Sequence, residues 1–266
     1  MTRTWTVESA AGELLAASDE RRGRSSLAAE WPGLDAATAY AVQDAALSRR
    51  LARGERLAGV KLGVTSRAKQ QQVGVDTPNT AWLTDAMILP AGSPVPAHAL
   101  IQPRAEPEIA FLLSQPLRGP GVNAAQAIAA VGLVFGAVEI IDSRFSGYQF
   151  SLADVTADNA SAGRYVMGPR GVPPVMLDLS LEACLLEVDG DVADSATGAA
   201  VLGHPAEALA FAANSLGERG HGLEAGWTVL TGGMTDAVPL MPGRTVSACF
   251  TNLGTVTVTA PAAVRN

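Results

Sequence analysis

Apolar residues recur at helical spacing in the first fifth of the chain and at strand spacing nearly everywhere after it. From about Ser9 to Ala52 two helices are expected. The first, SAAGELLAASDERR, stops at Gly23, and the second, LDAATAYAVQDAALSRRLARG, carries Tyr40, Leu47 and Leu51 on one face. From Arg56 onward come short apolar runs broken by Gly and Pro: RLAGVKL, MILP, EIAFLL, VGLVFGAVEII, LSLEACLLEV, WTVLTG, TVSACF and TVTVTA. Such runs predict a β-rich body. Further helices are expected over Ser66–Gln72, Asn123–Val131 and Pro205–Glu218, the last with Pro at its start and Gly220 beyond its end. They are too sparse for repeated βαβ units. Asp189-Gly190 and Asn252-Leu253-Gly254 read as hairpin turns, so part of the sheet is antiparallel. The division that follows is a mainly helical portion over residues 1–70 and a β-rich domain over 71–266.

Two of these strands carry acids where a core strand is apolar. In RAEPEIAFLL, a period of two puts Glu106 and Glu108 on one face with Ala110 and Leu112, while Ile109, Phe111 and Leu113 face the other way. Like charges that close repel unless a cation or proton compensates. Pro107 between them fits an edge position or a strand start. Glu139 interrupts LVFGAVEII, a run apolar enough to be buried on both faces. Three carboxylates with no His or Cys near them in sequence form a hard oxygen donor set suited to Mg²⁺ or Mn²⁺. The competing account is a solvated edge pair at Glu106 and Glu108, with Glu139 paired to an arginine.

Lys61, alone in LAGVKLGVTS, is either a snorkelling edge lysine or a cation facing the carboxylates and an anionic substrate. In DVTADNASAGRYVMG, Asp158, Asn159 and Ser161 crowd a short polar loop, ordinarily a set of Asx turns and caps. LTGGMTDAV ends a strand at Thr231 and Gly232, where a Gly pair lets backbone amides approach a ligand.

Composition narrows the partners. The 266 residues are 48% hydrophobic and 17% charged, with 19 Lys+Arg against 26 Asp+Glu for a net charge of −7. Without basic runs, that balance argues against nucleic acid or an anionic membrane surface and favours a small molecule. No glycine-rich nucleotide motif follows a strand. Cys184 and Cys249 lie in apolar runs without metal-ligand spacing and read as core thiols. The longest uncharged stretch, Gly119 to Val138, is broken by Pro120 and four glycines, and no signal-peptide run opens the chain; a soluble, cytoplasmic protein is expected.

Taken together, GVKLGVTSRAKQQQVGVDTP, QPRAEPEIAFLL, EIIDSRF, DVTADNASAGRYVMG and VLTGGMTDAVPLMPG resemble the fumarylacetoacetate hydrolase superfamily. The likeness is collinear from about residue 35 to 258. Within the superfamily it points to the branch of 2-hydroxypenta-2,4-dienoate hydratases and 2-oxo-3-hexenedioate (4-oxalocrotonate) decarboxylases of aromatic meta-cleavage pathways. The resemblance implies an α+β fold, a mixed β-roll with a helical N-terminal portion. It implies Mg²⁺ or Mn²⁺ on Glu106, Glu108 and Glu139, catalytic roles for Lys61 and Ser161, and substrate contacts from Asn79, Asp158, Asn159, Thr231 and Gly232. It also implies a homo-oligomer, and a complex with a cognate hydratase.

TSRAK at 65–69, the EPE of 106–108, LTDAM at 83–87 and IDSRFSGYQFSLADVTADNAS look closer to the decarboxylases. Hydratases of this branch commonly carry an aspartate in a PDFG segment, where this chain reads Pro78-Asn79-Thr80-Ala81. The superfamily's C–C hydrolases use a His-Glu pair near a lid helix, whereas His98, His204 and His221 lie elsewhere in sequence. The expected activity is therefore metal-dependent decarboxylation of a small 2-oxo dicarboxylic acid. A hydratase is the alternative, with Asp76, Asp158 and Ser161 as its proton-transfer candidates, and a noncatalytic hydratase partner is the reading from another class.

Overall fold

The computed structural model describes residues 4–66, 70–71 and 77–262. Helix α1 (Val7–Glu20) starts where the Thr6 and Ser9 side chains cap each other's backbone N–H groups and ends where Arg21 turns left-handed. A single turn, α2 (Leu27–Glu30), precedes α3 (Ala36–Ala52), whose N-cap Asp35 accepts from the Thr38 N–H. Ala10, Ala11 and Leu14 of α1 pack on Ala39 and Val42 of α3, together with Phe145 and Ala157 from far along the chain. Both expected N-terminal helices are present.

The strands are β1 (Leu57–Gly63), β2 (Asn79–Thr84), β3 (Arg104–Leu113), β4 (Val131–Ile141), β5 (Ala162–Met167), β6 (Ala183–Val188), β7 (Asp191–Thr197), β8 (Thr228–Leu230), β9 (Val238–Pro239), β10 (Thr245–Phe250) and β11 (Gly254–Thr259). Seven of them form one sheet in the order β2-β1-β8-β3-β4-β5, with β9 beside the start of β3. Its β1–β8 pair is parallel and the other pairs are antiparallel. The second sheet, β11-β10-β6-β7, is antiparallel and contains both expected hairpins. It lies close on β4, because a Cβ at Gly136 would stand 2.5 Å from the Phe250 ring. The main core fills the space between the sheets and takes in α4 (Ala124–Ala129) and α6 (Pro205–Glu218). This is the mixed α+β roll that the sequence implies.

Some elements differ from expectation. MILP is a 3₁₀ turn over Asp85–Met87 and then a single bridge from Ile88 to Tyr165, because Pro90 stops the run from laddering. Leu152–Ala157, for which the sequence reading gave no element, is a short helix, α5, which Ser151 and Asp154 cap reciprocally. The Asp154 carboxylate also accepts from Ser26 Oγ and the Ala28 N–H, so the starts of α2 and α5 share one anion. Of the helix expected over Ser66–Gln72, residues 67–69 and 72 lie outside the described residues, as does Asp76. β1 belongs to the sheet although it falls within residues 1–70. Among the described residues no helix is long and apolar enough to cross a membrane.

Gly59 is the closest approach of β1 to β8: a Cβ there would meet the Thr228 carbonyl oxygen at 1.9 Å. Neither backbone can yield without shifting the strand that carries Lys61. Gly59→Ala is therefore expected to lower stability by about 3 kcal/mol, read as a lower urea midpoint at unchanged slope.

Candidate metal centre

The register of β3 and β4 builds the acidic cluster. Glu106 stands directly opposite Glu139, and Glu108 opposite Ala137, so all three carboxylates share one face of the sheet. Glu106, Glu108 and Glu139 are 6%, 0% and 1% exposed, and one oxygen from each lies within 4.8 Å of the others. This resolves the choice left open by the sequence. The acids are not a solvated edge pair, and the cation paired with Glu139 is a lysine rather than an arginine.

Pro107 sits inside a strand that is paired on both sides, yet it breaks no ladder. Its carbonyl accepts from the Met234 N–H, so its missing donor faces residues 231–237, in the gap between β8 and β9. The same segment serves the site, since the Gly232 N–H donates to Glu108 Oε2 at 2.6 Å. Thr231 Oγ1 donates to the Ile109 carbonyl.

Lys61 reaches the cluster from β1. Its register partner Leu230 lies opposite Ala110, which puts Lys61 on the face of Glu106 and Glu108. The ammonium is 3.0 Å from Glu139 Oε2 and donates to the Ala160 carbonyl at 2.8 Å. Burial disfavours its charge, but Glu139, Glu106 and Glu108 outweigh burial and raise its pKa. Glu108 is pushed well above the usual carboxylate range by burial first and then by Glu139 and Glu106. Burial likewise raises Glu139, opposed by Lys61. Glu108 Oε1 and Glu139 Oε1 are buried without a hydrogen-bond donor, and Glu139 Oε2 has only the Lys61 ammonium. A hard divalent cation fits such a set, because it needs oxygen ligands and removes the repulsion that one lysine leaves.

The loop after α5 is shaped for the lysine. Asn159, Ala160 and Ser161 have successive φ values of 52°, 48° and 57°, a left-handed run that non-glycine residues adopt only when held. Arg144 holds it, pairing with the Asp158 carboxylate and donating to the carbonyls of Asp158, Asp142 and Ala162. Burial raises the Asp158 pKa against the opposing pull of Arg144.

A cavity of about 450 Å³ opens over the cluster, lined by Lys61, Asn79, Arg104, Glu106, Tyr148 and Ser161 among others. Thus Lys61, Asn79, Ser161 and Glu106 share one space. The other expected substrate contacts do not line it. Asp158 is committed to Arg144 and Ser143, and Asn159 grips the N–H and carbonyl of Trp82 at 2.8 Å each. Thr231 and Gly232 serve Ile109 and Glu108 as described. All four therefore support the site from behind. Asn79 Nδ2 donates to Thr156 Oγ1 while its Oδ1 is buried without a donor. Its fit depends on Gly63, where a Cβ would stand 2.4 Å from that oxygen. Arg104 and Tyr148 were missed by the sequence reading, although the period of two that joins Glu106 to Glu108 also includes Arg104.

Residues 56–260 match the family described as fumarylacetoacetate (FAA) hydrolase C-terminal. The chain is 41% identical over 227 residues to a 4-oxalocrotonate decarboxylase of Pseudomonas sp. (strain CF600), covering 85% of this chain and 86% of that one. It is 38% identical over 254 residues to a 2-hydroxyhexa-2,4-dienoate hydratase of Comamonas testosteroni, covering 95% and 96%. Among solved structures, 4-oxalocrotonate decarboxylase from Pseudomonas putida G7, complexed with magnesium and adipate, superposes with a TM-score of 0.94 at 38% identity over 97% of this chain and 99% of that one. With its roll, its carboxylate cluster and these matches, the chain belongs to the fumarylacetoacetate hydrolase family.

Proposed function

We propose that this protein is a divalent-metal-dependent decarboxylase that converts 2-oxo-3-hexenedioate (4-oxalocrotonate) or a close relative to 2-hydroxypenta-2,4-dienoate. The observation that carries the reading is the buried trio Glu106, Glu108 and Glu139, with acceptor oxygens left over and Lys61 beside it, Glu106 and Lys61 both facing one cavity. Similarity to decarboxylases, one of them holding magnesium and a six-carbon diacid, supports it. Glu106, Glu108 and Glu139 hold Mg²⁺ or Mn²⁺. The bound ion supplies Lewis acidity, drawing electrons toward the 2-oxo oxygen as CO2 departs.

The chain's own groups do the rest. Lys61, already fixed by Glu139 and Ala160, donates from Nζ to the 2-oxygen, which receives the electron pair displaced through the double bond when the bond to the leaving carboxylate breaks. Ser161, on the same cavity wall, orients the substrate. Leu152 and Val155 keep water from the departing group. Self-association and pairing with a hydratase belong to the same proposal, supported by the exposed apolar side chains Val175, Met176, Leu181 and Val192.

A hydratase is the second reading, favoured by relatives of that name. Asn79 weighs against it, since an amide neither accepts nor releases a proton near neutral pH. Incubation with Mg²⁺ separates the two. CO2 release from 2-oxo-3-hexenedioate with accumulation of the dienol is expected, whereas conversion of the dienol to 4-hydroxy-2-oxopentanoate without CO2 from the diacid overturns the proposal.

The raised carboxylates give a second expectation. Because Glu108 and Glu139 hold protons more tightly folded than unfolded, their contribution to stability is full below the ordinary carboxylate range and is lost as pH rises through the raised values. Lys61, also raised, keeps its contribution below the usual lysine range and leaves that slope intact. In EDTA the melting temperature should fall as pH rises above the ordinary carboxylate range, and the gain from added Mg²⁺ should grow as it does. A gain independent of pH would remove these acids from the ion's ligand set.

Lys61→Met should cost the ion-free protein about 3 kcal/mol, the loss for breaking a buried pair, and Mg²⁺ should restore part of it. Turnover should remain depressed in the Mg²⁺-loaded variant. Wild-type kcat/KM would reduce Lys61 to a charge balance.

A further inference from the structure

The cavity holds a cation that the carboxylate cluster does not use. We propose that Arg104 binds the far carboxylate of a dicarboxylate substrate and so sets a preference for diacids over monoacids. The proposal rests on the reading of the cavity as a metal-assisted 2-oxo acid site.

Arg104 opens β3 two residues before Glu106, on the same face, and lines the same cavity. Two residues of strand span about 7 Å, close to the length of an extended six-carbon diacid. A substrate whose 2-oxo acid end lies at the glutamates thus has its other end beside Arg104.

The guanidinium is also held ready. It lies over the Tyr148 ring, 4.2 Å from the centroid. That ring is fixed in turn, because its hydroxyl is 3.1 Å from the carbonyl oxygens of both Gln102 and Ile141. Stacking occupies the flat face of the guanidinium and leaves its N–H edge for a carboxylate. No protein anion takes that edge: among the described residues Arg50, Arg144 and Arg219 each pair with a carboxylate, and Arg104 with none. On the far side of the stacked pair is a cavity of about 830 Å³ walled by Pro239, Leu240, Met241 and Pro242, which offers no competing charge.

An ion pair to the departing carboxylate exists in the bound substrate and disappears as CO2 forms. Arg104 therefore contributes to capture rather than to the chemical step, and its loss should raise KM without lowering kcat.

The test is calorimetric and needs no turnover: adipate and hexanoate are titrated into the Mg²⁺-loaded protein, its Arg104→Gln variant and its Arg104→Lys variant, each checked by thermal melting. The wild type should favour adipate about tenfold, Arg104→Gln should lose that preference with hexanoate binding unchanged, and Arg104→Lys should recover part of it. Equal loss for both acids, or adipate binding untouched in Arg104→Gln, overturns the proposal. Kinetics with 2-oxo-3-hexenedioate add the split between KM and kcat. A wild type that releases no CO2 yet discriminates adipate through Arg104 would sink the decarboxylase reading and leave this one standing.

Discussion

Three carboxylates buried on one face of a sheet repel one another, and the surrounding elements are arranged against that repulsion. Lys61 pairs with Glu139, and burial together with mutual repulsion still holds Glu108 and Glu139 above the usual carboxylate range, so full ionisation of the cluster is costly. Such an arrangement is costly in a protein that only needs to fold, and it becomes favourable when a doubly charged ion completes it. The structure is therefore best understood as a scaffold stabilised for its ligand rather than for itself.

The scaffold is built in two layers. Backbone register alone sets the spacing of the acids, because β3 and β4 pair as continuous strands along the whole of the cluster. The lysine is aimed by less regular means: a left-handed turn, held by a second buried ion pair between Arg144 and Asp158, points the Ala160 carbonyl at it. Gln43 of α3 adds a brace, donating to the carbonyls of Thr80 and Thr156 on either side of the cavity wall. The N-terminal helices thus bear on the site's geometry without contributing a group to it.

Much of this was legible in the chain. Glu106, Glu108 and Glu139 stand out because a strand's period of two and an apolar context leave a charge no ordinary place, and Lys61 stands out for the same reason. What stayed hidden depends on partners distant in sequence. Asp158 and Asn159 look like ligands in a polar loop, and only the fold shows them spent on Arg144 and Trp82. β2 has no alternation to read, since all six of its residues are buried. Leu152–Ala157 was hidden by its brevity, a helix of six residues being too short to show a period.

The order of strands also bears on how the centre comes into being. β3 and β4 follow one another in the chain, joined by residues 114–130, so the pairing of these two strands alone brings the three acids together. β1, which carries the lysine, touches β3 only through β8, drawn from the last quarter of the chain. The strand that carries the neutralising charge is therefore seated by a long-range contact, of the kind that slows folding. Without that contact the β3–β4 pair has only protons or free cations to relieve its repulsion, which ties the stability of the pair to the ionic composition of the medium.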